Sequence, residues 1–229
     1  MRNLRDHGLS LFFLAIFLVA LVGQAIAGHA DYNNDEIAHA ALLGEQPETI
    51  SLWRYVVSSS FGQAVMENWQ SEYLQFVTFI MATIWLAQRG SNESKQISDI
   101  GTESDEKQKI GPHAQQNSPR WATVGGWRTT LYSNSLVLVM LAIFFGSWFA
   151  QSLTGRTEYN EDQRDHDGST VSWAGYVTRP DFWENTLQNW QSEFLAVGTM
   201  AAYTIYLRQR GSPESKPVGA PHDETGSSG

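Results

Sequence analysis

Two carboxylates sit where carboxylates are costly. Glu72 and Glu193 each end an Asn-Trp-Gln-Ser-Glu pentapeptide, at 68–72 and 189–193, identical and 121 positions apart. Each pentapeptide opens a long, mostly apolar stretch that reads as a helix. Projected at 100° per residue, Asn68, Ser71, Glu72, Gln75, Thr78 and Ala82 share one face. Trp69, Tyr73, Phe76, Ile80 and Ile84 take the other. The second copy repeats the stripe with Asn189, Ser192, Glu193, Ala196, Thr199 and Tyr203. Lipid does not tolerate such a stripe, so it is expected to face other helices. If Glu72 and Glu193 met near a common axis, they could hold a proton or a cation between them, with Asn68, Asn189, Ser71 and Ser192 around it. A plainer reading competes. Glu72 precedes Gln88 by 16 residues, or ~24 Å of helix, which places it about one turn below the far surface of a ~30 Å hydrocarbon core. At that depth each carboxylate reaches water and hydrogen-bonds a neighbouring helix.

A second constellation is Asp35-xxx-His39 with Asp162-xxx-His166. Residues four apart share a helical face, and a carboxylate with an imidazole suits zinc or another divalent ion. Two such pairs together would supply four ligands. The alternative is an exposed acidic helical segment with ordinary Asp–His contacts.

The remaining chemistry is mostly excluded. The chain has no cysteine, hence no disulfide, thiolate nucleophile or Cys-ligated metal. No histidine falls inside an apolar run, so a bis-histidine haem is not expected there. Gly-rich phosphate loops, nucleophile elbows and His-Glu-x-x-His are missing. No basic patch with interleaved aromatics suggests nucleic acid. No enzyme and no cofactor are expected.

The elements that would position these residues come from the apolar blocks. The mean hydropathy of -0.30 averages four apolar runs with very polar connections. Leu9–Ala27 is nineteen residues, ~29 Å of helix, enough to cross a bilayer. A basic start and Ala25-Ile26-Ala27 also fit a cleaved leader. Leu131–Leu153 holds the same place in the second half, which points to a retained span. Both runs carry a small-xxx-small step, Gly23-xxx-Ala27 and Gly146-xxx-Ala150. Ser60-x-x-Gln63 and Asp181-x-x-Glu184 read as capping boxes, and Gly90 and Gly211 as helix stops.

Between these runs the halves keep matching. Asp31, Tyr32, Asn33, Asp35 and His39 correspond to Glu158, Tyr159, Asn160, Asp162 and His166 at an offset of 127. The change of offset from 127 to 121 marks a six-residue deletion in the second loop. Residues 96–125 are expected to be a disordered linker and 217–229 a disordered tail. The basic residues divide 11 to 4, with Arg2, Arg5, Arg89, Lys95, Arg208, Arg210 and Lys216 among the majority. By the positive-inside rule both termini and the linker are cytoplasmic. The outer loops and following helix starts hold 15 of 24 acids.

The expected fold is therefore all-α: a polytopic membrane protein with four transmembrane helices from two tandem parallel two-helix repeats, 1–95 and 126–216. The spans lie near 8–27, 61–88, 131–153 and 182–208. Arg5-Asp6-His7-Gly8, Glu-Asn-Trp-Gln-Ser-Glu at 67–72, the Tyr-Asn-Glu-Asp-Gln-Arg core of 155–167 and Leu-Arg-Gln-Arg-Gly-Ser-Pro-Glu-Ser-Lys at 207–216 resemble a family of uncharacterised bacterial membrane proteins, a domain of unknown function. The resemblance implies a bacterial inner-membrane location and a duplicated four-span layout, and brings no activity with it. The leading functional expectation is a small structural or accessory membrane protein. Its polar stripes would bind membrane lipid, a second protomer or a membrane-protein partner. A proton or cation transporter using Glu72 and Glu193 is the alternative.

Overall fold

A computed structural model describes residues 6–226. Arg2, Arg5 and the last three residues of the tail lie outside that range. Helices α1 (Gly8–Leu43), α2 (Leu52–Val56), α3 (Ser59–Trp85), α4 (Arg120–Thr123), α5 (Gly126–Ser133), α6 (Ser135–Asp165), α7 (Trp173–Tyr176) and α8 (Pro180–Tyr203) follow in order. No strand occurs among the described residues. The class is all-α, as expected.

Helices α1 and α6, of 36 and 31 residues, are long and apolar enough to cross a membrane. Both outrun their apolar segments. α1 continues past Ala27 to Leu43, and α6 past Leu153 to Asp165. Loss of hydrophobicity marks where lipid would end, not where the backbone hydrogen-bond ladder ends. Ala, Glu, Asp and His sustain that ladder well enough when one face is packed. Gly44, at φ 73°, stops α1, its amide returning to Ala40 O.

The capping boxes are not what starts the other long helices. Ser58 Oγ, two residues before Ser60, accepts from Phe61 N at 3.3 Å. Pro180 occupies the first turn of α8 after Arg179, whose side chain makes no cap; it pairs instead with Asp181 at 3.0 Å. Proline lacks the amide that a cap would satisfy, so this end needs one acceptor fewer. Gly90 and Gly211 do adopt left-handed φ, 86° and 83°, but in turns several residues beyond the helices.

Contacts divide the chain into two compact units, Met1–Val65 with Ala150–Tyr176, and Met66–Phe149 with Val177–Gly229. In the first unit, one device occurs twice. Asn33 Oδ1 accepts from Ile50 N at 2.8 Å, and its Nδ2 donates to Ile50 O at 3.0 Å. Asn160 holds both backbone groups of Val171 at 2.7 and 3.0 Å. Each asparagine thus ties the returning chain to its long helix as a strand neighbour would. Ser51 and Ser172 then cap the short helices, accepting from Arg54 N and Gly175 N. Those helices place Tyr55 and Tyr176, both buried, over Gly28 and Gly155. A Cβ on either glycine would overlap the tyrosine hydroxyl. Glycine is required here for close approach.

In the second unit, Trp148 is ringed by aromatics. Phe144 and Phe182 stack on it at 5.5 and 6.1 Å, and Trp183 and Trp190 approach to 5.9 and 6.0 Å. Trp190 Nε1 donates to Gln70 Oε1 at 2.7 Å. Gln70 is fully buried. Residues 96–125 carry two short 3₁₀ turns, at 97–99 and 111–113, and a Lys95–Glu103 ion pair at 3.2 Å holds their start.

Candidate functional site

The first unit contains a cavity of about 450 Å³ between the far halves of α1 and α6. Its chemistry comes from helical periodicity. Asp31, Asp35 and His39 lie at i, i+4 and i+8 on α1, hence on one face. Glu158 and Asp162 do the same on α6, and His166, one residue past its end, still donates its amide to Asp162 O at 3.2 Å. Glu36, Glu161 and Asp165 join from adjacent positions. Seven of the thirteen lining residues are carboxylates, and none is lysine or arginine.

The two histidines meet edge to face, with ring centroids 5.6 Å apart. His166 Nδ1 lies 3.4 Å from Asp162 Oδ1 and 2.9 Å from Asp162 O. Thus all four residues of the second sequence constellation, Asp35, His39, Asp162 and His166, line one cavity. They do not form a ready coordination shell: among the described residues no three His, Asp or Glu groups are disposed to hold a metal ion. Ser59 Oγ donates to Glu161 Oε2 at 3.0 Å.

Two tyrosines register the field. Burial, then the charges of Glu36, Glu161, Asp165 and Glu158, push the Tyr32 phenol up. Burial, then Glu158 and Asp31, push Tyr55 up. The rings pack against each other at 5.9 Å, and Tyr159 and Tyr176 form the matching pair at 6.0 Å. A concave surface lined by one sign of charge raises the local concentration of counter-ions. Chemically, this cavity can attract and hold cations.

The first constellation is arranged differently from its expected form. Ser71 is buried and donates to Asn68 O at 2.9 Å, but Asn68, Glu72 and Thr78 are exposed. On α8 Asn189 and Glu193 are half-buried while Ser192 is exposed, its hydroxyl returning to Asn189 O at 2.9 Å. The inward face of α3 is turned toward Gln70 and Ser71. The cause is Trp190, whose indole N–H needs an acceptor when packed among rings and finds the Gln70 amide. Projection at 100° per residue leaves Gln70 off the stripe that holds Glu72. The missed signal was a tryptophan beside a glutamine in both copies of the pentapeptide.

An all-α chain with two membrane-length helices and an acid-lined cavity is thereby defined. The chain belongs to the family described as a domain of unknown function, DUF6766, whose model matches residues 1–227. Neither a curated protein nor a solved structure matches it.

Proposed function

We propose that this chain is a small accessory protein of the bacterial inner membrane, and that its acid-lined cavity receives cations on the outer side. In this reading the chain spans four times as two tandem parallel repeats, with both termini cytoplasmic. The matched Asn33 and Asn160 clamps support the duplication. Helices α3 and α8, at 27 and 24 residues, are ~40 and ~36 Å long, sufficient for a ~30 Å core despite their polar positions. The charge asymmetry of the loops supports the orientation.

The observation that carries the ligand class is the cavity lining: seven carboxylates and two imidazoles, with no lysine or arginine among them. Such a site favours multivalent cations, because each added charge gains from the same field. Carboxylates and imidazoles together suit a divalent ion such as zinc or manganese, after Asp35, His39, Asp162 and His166 converge on it. Transport past Glu72 and Glu193 is the weaker reading, because Glu72 is exposed rather than enclosed.

The test is calorimetric titration of the purified chain in nanodiscs with Zn²⁺, Mn²⁺ and Mg²⁺. Saturable binding that falls at least tenfold in D35N/D162N and in H39A/H166A is expected, with E72Q/E193Q unchanged. Binding indifferent to all four cavity substitutions would overturn the assignment.

A further inference from the structure

The second unit holds another pair of equivalent carboxylates, Glu93 and Glu214, in the two Gly-Ser-x-Glu-Ser-Lys turns. Each turn is built the same way. Ser91 Oγ and Ser212 Oγ accept from the glutamate amides at 3.1 Å, and Ser94 Oγ and Ser215 Oγ accept from Gln88 N and Gln209 N at 2.8 and 2.9 Å. The turns then interlock. Asn92 Nδ2 donates to Pro213 O at 3.1 Å, and Ser91 Oγ and Thr204 Oγ1 share a buried hydrogen bond of 3.1 Å. Asn92 and Pro213 each precede a glutamate, so their bond brings Glu93 and Glu214 close enough for the charge of Glu214 to act on Glu93.

Two ionised carboxylates are acceptors only and cannot hydrogen-bond each other. Glu93 Oε1 is moreover buried and has no donor. The nearby cations are engaged elsewhere. Lys216 donates to Gly90 O, Pro221 O, His222 O and Glu224 O. Arg89 pairs with Asp223, Lys95 with Glu103, and Arg208 donates to the carbonyls of Thr204, Ile205, Leu207 and Ala220. His222 Nδ1 lies 3.0 Å from Ile205 O. Among the described residues no ion pair reaches either glutamate.

We propose that Glu93 and Glu214 share one proton, and that this proton closes a clasp which also holds residues 217–226 in place. The strap rests on the first turn: Gly90 N donates to Thr225 Oγ1 at 2.8 Å, Gly226 N donates to Ser91 O at 3.1 Å, and Lys216 bridges the turn to the strap. Separating the glutamates pulls Lys216, two residues after Glu214, away from Gly90.

The sign is set by the environment. Burial first, then the Glu214 charge and the shared hydrogen bond, hold the Glu93 carboxyl above its ordinary range when the clasp is closed. A group raised in the closed state favours closure fully below its open-state pKa. That contribution disappears as pH rises through the closed-state value. Acid therefore shuts the clasp and base releases the strap.

The chain has no cysteine, so spin labels can be placed at Gln88→Cys and Gly219→Cys alone. Pulsed electron–electron distance measurement in nanodiscs between pH 4.5 and 8.5 should show one short distance in acid. A longer population should grow by up to about tenfold per pH unit as Glu93 ionises. E93Q should stay short across the range, because its amide donates to Glu214 without a shared proton. A distance distribution that ignores pH in the wild type overturns the proposal, as does a pH response retained in E93Q. The wild-type titration decides even if E93Q fails to fold.

Discussion

The two halves of this chain treat equivalent residues alike in one region and unlike in another. Around the cavity, Asn33 and Asn160 clamp Ile50 and Val171 with four bonds between 2.7 and 3.0 Å, and Tyr55 and Tyr176 cover Gly28 and Gly155. At the clasp, Lys95 and Lys216 end turns that differ only at Asn92 and Pro213, but part company. The Lys95 side chain is 31% exposed and pairs with Glu103, whose carboxyl is held low by hydrogen bonds from Lys95 and Gln108. Lys216 is 1% exposed and surrounded by backbone carbonyls. The shared sequence sets the local turn, but the next segment of chain decides its use: a polar linker after Lys95, a short strap after Lys216.

The largest effect expected from breaking this comparison is at Lys216. Lys216→Met removes the donor and leaves buried carbonyls unpaired, a loss of ~2–3 kcal/mol. Lys95→Met deletes a partly exposed ion pair, which solvent screens, and should cost less. Thermal unfolding of both variants in the same detergent should show a clearly lower midpoint only for Lys216→Met. Equal midpoints would mean the lysines are equivalent after all.

In the cavity region the asparagine clamps differ by one bond. Asn160→Ala strands the amide and carbonyl of Val171, whereas Asn33→Ala strands only the Ile50 amide, because His29 Nε2 stays 2.7 Å from Ile50 O. Each orphaned group costs ~1–3 kcal/mol, so Asn160→Ala should lower the unfolding midpoint further. Gly28→Ala and Gly155→Ala force a methyl against a tyrosine ring and should each cost ~1–3 kcal/mol. Tyr55→Phe should restore part of the Gly28→Ala loss by removing the overlapping hydroxyl, though the ring carbon at 2.9 Å remains. No rescue would place the strain elsewhere than in the tyrosine.

How much of this was legible in the chain itself differs by residue. That Asp35 and His39 share a helical face, as do Asp162 and His166, is legible in their spacing, because i, i+4 positions project together whatever surrounds them. The clamps are not. Asn33 and Asn160 aligned, but an asparagine's partner depends on where a loop returns. Helix ends are not legible in hydropathy, because hydropathy and helicity are different signals, and α1 keeps its ladder for sixteen residues beyond Ala27. The buried face of α3 is rotated from the projected polar stripe, which leaves Gln70 out. Burial instead went to the amide that an indole needed. Lys216 looked like another inner-edge cation. Nothing local distinguishes it from Lys95, since its burial comes from a strap of Pro, Gly and His that carries no apolar pattern.

The smallest effect sharpens the same contrast at the short helices. Ser51 Oγ accepts from Arg54 N at 3.4 Å, and Ser172 Oγ from Gly175 N at 3.2 Å. Removing an N-cap acceptor costs about 0.5–1 kcal/mol in most helices. Here the helices have five and four residues and are held mainly by their tyrosines. Ser51→Ala and Ser172→Ala should therefore lower the unfolding midpoint slightly and by the same amount, while cation binding stays unchanged. Hydrogen exchange at Arg54 and Gly175 reads the caps directly and should speed up severalfold in the matching variant only. If Ser172→Ala also weakened Zn²⁺ binding, the cap would be positioning Tyr176 and through it the far end of α6. The two halves of the cavity would then differ in rigidity despite their matched bonds.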